Sequence, residues 1–394
     1  MNNNFFSMMR YLRDLGVDAY LIPYTTDGKS TLSHFIPEND TWDFSKWSPY
    51  VLNPILPNGR IRGLLSFFHR GRIKEVFDNY DVIIGTGFAP AYAYMAGRSL
   101  DIFIPYSFRG EFLHYPKTSN FFNAISRWIQ SYCQLQGLNR TKIICGIDHK
   151  ERIHFKKNGL KIHSLPIPML YYEEPTSIPH HLVKTMKCMQ KSNFVVFSHL
   201  THGWKNQGFK SDIKRNDLLI QGFAECVRDY GIDATLFLIE VGFDVQASKD
   251  LIEKLGIGDH VQWLPRFSRK EILELLPYVN IGGNALSGLF WGGSGWEFLM
   301  KGVPMIHNLS NAYESDHGLD SLPPFYNVSS IREISEAIYE AYTNEEKNKA
   351  IGSEAKQWFN ANQGYGLAKT YVKLIDSILN KVVLPEVTYN YTFW

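Results

Sequence analysis

Cysteine is scarce in this chain, and so are long apolar runs. Only four cysteines occur among 394 residues, and they are scattered without a Cys-x-x-Cys pair or the spacing of a zinc site. No apolar run approaches the roughly 20 residues that span a bilayer, and the N-terminus lacks the basic and apolar segments of a signal peptide. The sequence therefore disfavours a disulfide framework and predicts a cytoplasmic protein that is neither secreted nor integral to a membrane.

Charge is balanced overall but unevenly distributed. Hydrophobic residues make up 44% and charged residues 20% of the chain, which indicates a globular protein whose length favours two domains. Residues 1–187 hold 22 Lys and Arg against 15 Asp and Glu, whereas the remainder holds 19 against 24. The first half is thus expected to face a membrane surface, a phosphorylated carrier or nucleic acid. The aromatic residues do not form a recognisable nucleic-acid module, so no nucleic-acid partner is expected.

Strand-like runs alternate with helical stretches along both halves, which predicts parallel sheets covered by helices on both faces. Capping boxes at Ser268–Glu271 and Ser330–Glu333 mark two helix starts. A final amphipathic helix carries Leu367, Tyr371, Leu374, Ile375 and Ile378. The predicted strands lie at 19–22, 81–85, 102–104, 142–145, 194–198, 235–241, 260–264, 279–281 and 303–307.

A proline-dense stretch near residues 165–179 separates the two alternating series and is typical of a linker. The predicted domains are an N-terminal Rossmann-like domain over 1–170, a linker over 171–190 and a second domain over 191–360. Residues 361–394 are expected to form a helix that returns to the N-terminal domain, followed by a tail.

The most distinctive stretch, residues 290–306, joins a glycine-rich turn to a short helix. Gly292, Gly293 and Ser294 precede an apolar segment that leads into a strand. Free backbone N–H groups and the positive helix end would converge there, which favours a diphosphate site. Glu297 in the first turn could bind two vicinal hydroxyls of a ribose. The same residues also suit a tight turn in which Glu297 only complements the helix dipole, and the motif alone does not separate these interpretations.

A basic cluster follows the first strand of the second half. Lys214 and Arg215 stand directly before a helical stretch, after the strand that ends near His199. A cation at the carboxyl edge of the first strand is where doubly wound folds bind phosphate. A solvated Lys-Arg pair is the commoner explanation of such a cluster taken alone. The glycine-rich turn about eighty residues later favours the phosphate site.

With these motifs on one chain, the second half resembles the nucleotide-sugar-binding domain of GT-B glycosyltransferases, in particular the large retaining group classed as family four. The resemblance covers about residues 190–310. It rests on four ordered segments that match a lysine-bearing helix start, a glycine-ended strand, a Val-x-Phe-Leu-Gly strand and a glutamate-bearing helix, at 214–223, 238–242, 261–265 and 297–306. The resemblance implies an α/β fold of the GT-B class, with two Rossmann-like doubly wound parallel-sheet domains facing a cleft.

The resemblance also implies roles for individual residues. Lys214 matches the lysine that binds the donor diphosphate, and Glu297 matches the second glutamate of the family's E-x(7)-E motif, which holds the ribose. The first glutamate falls on Leu289, and the basic residue after the first strand falls on His199, where arginine is usual. Lys214, Glu297 and, in the first half, His114 are the candidate catalytic residues. The candidate donor-binding residues are His199, Lys214, Arg215, Gly242, Trp263, Leu264, Gly292, Gly293, Ser294 and Glu297.

The first half resembles the family's acceptor domain less specifically. Asn4 stands where the family has a glycine-rich loop after its first strand, and the residues before it are too few to form that strand. We therefore expect either an upstream start in the natural gene or an incomplete sheet. Arg109, Glu111 and His114 lie where the family has a polar loop facing the cleft, and with Asn4 they are the acceptor-side candidates. A satisfied structural side chain is the commoner role of one such residue.

One further segment of the first half is basic and apolar together. Arg60, Arg62, Arg70, Arg72 and Lys74 surround several leucine and phenylalanine residues. This composition suits contact with a membrane interface and a lipid-linked acceptor. A solvated helix that buries its leucines and phenylalanines in the domain core is the alternative.

The resemblance to this family implies a hexosyltransferase-type glycosyltransferase. It would move a sugar from a UDP- or GDP-sugar to a glycan or lipid-linked acceptor, with retention, in bacterial surface polysaccharide synthesis. No Asp-x-Asp sequence occurs, so we expect neither a metal ion nor a cofactor besides the donor. The cytoplasmic location would be the inner face of the membrane if the basic segment binds lipid. The alternatives are a sugar-nucleotide epimerase of the same fold and a non-catalytic subunit that binds nucleotide sugar.

Overall fold

The computed structural model describes residues 3–24, 35–55, 67–105, 121–145, 155–163, 165–205, 214–288, 292–309 and 322–382. The chain divides into two compact units. The first comprises Met1–Pro37, Asp43–Met169 and Tyr365–Trp394, and the second comprises Glu38–Trp42 and Leu170–Gly364. The second unit therefore includes a short segment from near the N-terminus, and the first includes the C-terminal end of the chain.

Helices account for much of both units. The helix at His180–Gln190 lies inside the stretch 171–190 that the sequence predicts as a linker, and it buries Leu182, Met186 and Met189. The α-helices of the described ranges are α1 (Asn4–Asp14), α2 (Arg70–Asp78), α3 (Ala89–Met95), α4 (Phe121–Asn139), α5 (His180–Gln190), α6 (Asn216–Tyr230), α7 (Val245–Leu255), α8 (Arg269–Leu275), α9 (Gly292–Lys301), α10 (Ile331–Thr343), α11 (Glu345–Asn362) and α12 (Gly364–Leu379). Short 3-10 turns lie at Pro37–Asn39, Phe44–Lys46, Ser48–Tyr50, Gly258–His260 and Leu276–Tyr278.

The first unit contains a parallel sheet of three short strands in chain order, β1 (Ile84–Gly85), β2 (Ile102–Phe103) and β3 (Ile143–Ile144). Each strand lies within a predicted one. The strand predicted at 19–22 is wrong within the described residues, because only Leu21 forms a β-bridge there, with Val51. Pro23 lacks the N–H that would continue the ladder along Leu52, so the pairing ends after one residue.

The second unit contains six parallel strands. They are β4 (Val195–Ser198), β5 (Thr235–Ile239), β6 (Val261–Leu264), β7 (Ile281–Gly283), β8 (Met305–His307) and β9 (Tyr326–Asn327). Their order across the sheet is β6-β5-β4-β7-β8-β9, so the first strand of the unit lies in the middle. The first five were predicted with slightly different ends. The two-residue strand β9 was not, because two residues carry no alternating pattern.

Apolar faces of helices cover the second sheet and form its core. In α6, Leu219, Ile220 and Phe223 are almost completely buried. A side chain at Gly222 would meet Ile334 of α10 at 2.4 Å, so glycine permits the close approach of these two helices. The predicted capping box of α8 is confirmed, with Ser268 and Glu271 each bonding the other's backbone.

The core of the first unit includes the C-terminal helix. The five predicted apolar residues of α12 are all buried, together with strand residues Ile102 and Ile143 and with Leu12 of α1. The hydroxyl group of Tyr371 donates a hydrogen bond to the carbonyl of Pro166 at 2.8 Å. Helix α12 is therefore part of the first unit's core rather than an appendage.

Within the described ranges, none of the helices has both the length and the apolar character needed to cross a bilayer.

Candidate functional site

The strand order of the second unit creates a switch point between β4 and β7. From this point the chain runs outward to β5 and β6 on one side and to β8 and β9 on the other. In open parallel sheets, ligands bind outside the carboxyl ends of the strands at such a switch point. His199 follows β4 directly and Asn284 follows β7 directly, so these two residues flank the crevice.

Helix α9 begins close to this crevice. Gly292 adopts a left-handed φ of 64°, and Cβ atoms added at Gly292 or Gly293 would meet nothing within 4 Å. The hydroxyl group of Ser294 donates to Oδ1 of the buried Asn284 at 2.8 Å, which ties the first turn of α9 to the end of β7. Main-chain N–H groups of this turn carry the positive end of the helix dipole, so an anion would be stabilised there.

Lys214 is held between two loops at the same edge of the sheet, outside the carboxyl ends of the strands. Its N–H donates to the carbonyl of Gly203 at 2.9 Å, and its carbonyl accepts from the N–H of Leu286 at 3.1 Å. Arg215 follows in a left-handed conformation and donates to both carboxylate oxygens of Asp217, at 3.0 Å each. That pair raises the pKa of Arg215 and commits its guanidinium to Asp217.

His199 and Glu297 form a buried pair. The imidazole Nε2 lies 2.6 Å from a Glu297 carboxylate oxygen, and the side chains are only 6% and 8% exposed. The ring of His199 also lies between Phe197 and Phe298, with centroids at 5.4 and 4.9 Å. Among the described residues, His199 Nδ1 has no hydrogen-bond partner. The Glu297 carboxylate accepts a hydrogen bond from Nε2, so a proton stays on that nitrogen. Nδ1 is the other polar atom of the ring.

Glu297 is gripped from a second side by Arg269, the first residue of α8. The Arg269 guanidinium donates to the other carboxylate oxygen at 3.1 Å and also to Asp40 at 3.2 Å. Burial acts to raise the pKa of Glu297, but the hydrogen bond of His199 and the charge of Arg269 outweigh it, so the pKa lies below its usual value. Four ionisable side chains, none more than 14% exposed, thus run from His199 through Glu297 and Arg269 to Asp40, and we call them the buried network.

Sequence reasoning missed Arg269 and Asp40. The Ser268–Glu271 capping box does identify Arg269 as the first residue of a helix, and arginine in that place is unusual next to the positive helix end. Asp40 carries no comparable signal. It belongs to the segment Glu38–Trp42 of the second unit, where the backbone carbonyl of Thr41 also accepts from the Lys270 ammonium at 2.9 Å.

A second histidine, His202, was also missed. It is completely buried, its Nδ1 lies 2.8 Å from the Ser248 hydroxyl, and burial lowers its pKa to about 4 although Asp244 acts in the opposite direction. Asp244 accepts from the N–H groups of Trp204 and Lys205, which fixes the loop after β4.

The remaining donor-side candidates have largely structural contacts. Gly242 has a φ of 129°, and a side chain there would meet the His202 carbonyl oxygen at 2.2 Å. Trp263 lies against the His202 ring with centroids 5.2 Å apart, and Leu264 is 8% exposed at the end of β6. Gly242 and Trp263 therefore support the loop that carries His202, whereas the Leu264 carbonyl accepts from the N–H of Glu240 at 2.8 Å.

On the acceptor side, Asn4 is the first residue of α1 and is partly buried. Arg109, Glu111 and His114 lie outside the described residues, as does Leu289. Within the described ranges, no three His, Cys, Asp or Glu side chains cluster in a way that could hold a metal ion.

The chain was compared with known proteins. No family profile matches it, and no curated protein does. Among solved structures, a glycosyltransferase from Rickettsia africae is similar with a TM-score of 0.61 and 15% identity, over 96% of this chain and 94% of that one. HepE from Anabaena, solved with UDP and glucose, is similar with a TM-score of 0.58 and 14% identity, over 95% of both chains.

A candidate UDP-N-acetylglucosamine 2-epimerase from Listeria monocytogenes is similar with a TM-score of 0.53 and 12% identity. The likeness covers 94% of this chain and all of that one. At such identities the similarity shows the fold alone. The predicted α/β class with two Rossmann-like parallel-sheet domains is confirmed, and the fold is GT-B.

Proposed function

We propose that this protein is a glycosyltransferase whose second unit binds a nucleotide-sugar donor at the switch point between β4 and β7. The observation that carries the proposal is the joining of α9 to β7 by the Ser294–Asn284 hydrogen bond, which holds an open, glycine-lined helix start at the crevice. The fold shared with HepE, which was solved with UDP and glucose, supports the same donor class.

The diphosphate would meet main-chain N–H groups of Gly292, Gly293 and Ser294 and the ammonium of Lys214. The chemical difficulty of the reaction is departure of a nucleoside diphosphate, on which negative charge develops. Fixed donors that require no rearrangement stabilise such charge most effectively. Lys214 suits this role because two backbone hydrogen bonds fix its position in the chain.

Glu297 is proposed to serve the donor in two ways, by contacting the ribose and by holding the His199 ring in place. The ribose contact implied by the family resemblance remains a prediction. Since both carboxylate oxygens already accept hydrogen bonds, from His199 and from Arg269, the carboxylate also holds the His199 ring in place. The remaining nitrogen of that ring, Nδ1, is then the atom that a bound donor or an ordered water would satisfy.

The finer features of the proposal come from the family resemblance. We propose transfer of a hexose from a UDP- or GDP-sugar, with retention, to a glycan or lipid-linked acceptor in bacterial surface polysaccharide synthesis. Asn4, Arg109, Glu111 and His114 would serve the acceptor side. The basic segment at residues 60–74 would meet the inner face of the membrane. Phe68, which lies within that segment and is 80% exposed, is consistent with such a contact.

A sugar-nucleotide epimerase is the second candidate, favoured by the likeness to the Listeria protein over nearly the whole of both chains. An epimerase would alter the nucleotide sugar with no acceptor present, whereas a transferase requires one. A non-catalytic subunit would bind the nucleotide and leave the sugar unchanged.

The test is to incubate the full chain with a panel of UDP- and GDP-sugars, with and without a lipid-linked acceptor. We expect release of nucleoside diphosphate and a matching gain in acceptor mass only when acceptor is present. Proton NMR of the same samples would reveal epimerisation, which leaves mass unchanged, and the anomeric configuration of any product. Sugar inversion at C2 without acceptor, or binding with no turnover for any pair, would contradict the proposal.

A further inference from the structure

Helix α4 of the first unit buries a partly polar face. Ser131 and Gln134 are 6% and 0% exposed. The Gln134 side chain donates to the carbonyl of Gly87 at 2.9 Å and accepts from the N–H of Ala91 at 3.0 Å, so its amide binds the start of α3. A side chain at Gly137 would meet the Pro90 carbonyl oxygen at 2.0 Å, so the two helices touch closely there.

The exposed face of the same helix is apolar. Phe121, Ile125, Trp128 and Tyr132 are 72%, 39%, 54% and 44% exposed. Their spacing of four, three and four residues places them on one side of the helix. The rings of Trp128 and Tyr132 stack with centroids 6.0 Å apart and an interplanar angle of 17°. We call these four residues the aromatic stripe. This face of the helix therefore shows large apolar side chains to solvent, whereas the opposite face keeps an amide inside.

Basic residues accompany the aromatic stripe. Helix α4 contains one arginine, Arg127, and no acidic residue among its 19 positions. The Arg140 guanidinium lies 4.5 Å above the ring of Tyr94, which in turn contacts the ring of Tyr132 at 6.4 Å. The residues of the first unit include 23 Lys and Arg against 13 Asp and Glu, a formal charge of +10.

We propose that the aromatic stripe is a membrane-binding surface, which seats the first unit on a bilayer containing anionic lipid. Tryptophan and tyrosine favour the headgroup region because an apolar ring and a polar tip suit the two sides of that boundary. Basic residues around such a surface attract the negatively charged lipid headgroups.

A bilayer explains the stripe better than a second copy of this chain does. Two first units of formal charge +10 would repel each other, whereas an anionic surface attracts each of them. The surface is distinct from the basic segment at residues 60–74, and α4 would lie along the interface rather than cross it, since the described helices include no candidate span.

The test is vesicle co-sedimentation of the full chain. Vesicles of phosphatidylcholine containing phosphatidylglycerol are compared with vesicles of phosphatidylcholine alone. We expect binding to the anionic vesicles that weakens as salt is raised. Trp128→Ser or Ile125→Ser should weaken this binding by about tenfold, because each removes apolar area from the bilayer contact. Ile178→Ser is the matched control, because Ile178 is also 39% exposed but belongs to the second unit.

Three results would overturn the proposal. The first is equal vesicle binding by the stripe variants and by Ile178→Ser. The second is binding that ignores anionic lipid. The third is a concentration-dependent dimer, seen by sedimentation velocity, that Trp128→Ser abolishes. Circular dichroism and the unfolding midpoint of each variant show that it is folded. The vesicle measurement needs no donor, so its outcome is independent of the proposed transferase activity.

Discussion

The Glu297 carboxylate forms hydrogen bonds with the His199 imidazole at 2.6 Å and with the Arg269 guanidinium at 3.1 Å. The side chains of His199 and Glu297 are almost completely shielded from solvent. Removing one partner of a buried ion pair leaves the other charge uncompensated, which costs more than the pair contributes. Replacing this glutamate therefore changes folding as well as any contact with the nucleotide.

Glu297→Ala should lower the free energy of unfolding by about 3 kcal/mol, because Arg269 and the imidazole lose their buried acceptor. Glu297→Gln keeps an oxygen in the same place and should be milder. Urea denaturation of both variants measures this difference. An alanine variant with the midpoint of the natural chain would show that the buried network contributes nothing to stability.

Lys214→Ala should leave the fold intact and reduce the rate of sugar transfer by about 100-fold, the usual cost of losing one fixed donor to a developing negative charge. Lys347→Ala is the control, since this exposed lysine of α11 pairs with the surface carboxylate of Glu340. Steady-state kinetics with the active donor compares the two. Equal rates for both variants would contradict the role given to Lys214.

His202 should make the protein sensitive to mild acid. Its pKa of about 4 in the folded chain lies below the roughly 6.5 of an unfolded histidine, so the unfolded state binds the proton more readily. Stability is complete above pH 6.5 and falls toward pH 4, by about 2 kcal/mol between pH 7 and 5. Unfolding curves across that range should lose this slope in His202→Gln, and an unchanged slope would contradict the assignment.

At the residue scale, the sequence identified several candidate site residues but not the contacts that they make. The family resemblance identified Lys214, Glu297 and His199, and the structure brings the last two within hydrogen-bond distance. The partner of Arg269, Asp40, lies 229 residues earlier in the chain, and a long-range ion pair leaves no local pattern in a single sequence.

Among the elements, the loop after β5 depends on a glycine. Gly242→Ala would place a Cβ 2.2 Å from the His202 carbonyl oxygen in a backbone conformation that side chains rarely adopt. We expect a loss of more than about 2 kcal/mol in unfolding free energy, together with weaker nucleotide binding, because the loop after β4 must move.

The matched control for this substitution is Gly256→Ala at the end of α7. Gly256 also has a positive φ, of 67°, but a Cβ there would meet nothing within 4 Å. It should cost about 1 kcal/mol and leave nucleotide affinity unchanged. Equal effects of the two substitutions, measured by denaturation and calorimetry, would show that the contact with His202 is unimportant.

Elements with a clear repeating pattern were predictable, and very short ones were not. The apolar spacing of α12 and the capping box of α8 are local signals, and both are confirmed. Strand β9 has only two residues. The strand predicted at 19–22 had a suitable composition, but Pro23 limits it to a single bridge.

At the scale of the whole molecule, the two structural units differ more in net charge than the two halves of the sequence do. The first unit carries +10, which leaves −8 for the second, whereas the two halves of the sequence differ less. The difference arises because acidic Glu38 and Asp40 belong to the second unit, and because the C-terminal end of the chain, which holds three lysines against Asp376 and Glu386, belongs to the first. Which unit a segment joins depends on packing, and composition along the chain does not reveal it.

Hydrogen-deuterium exchange of the full chain with and without UDP, and likewise GDP, tests the donor site most directly. Bound nucleotide should slow exchange in peptides covering the first turn of α9 and the loop after β4, and should leave α12 unchanged, because ligand contacts protect local N–H groups. Slower exchange confined to the first unit, or no change at the β4–β7 edge with either nucleotide, would contradict the account.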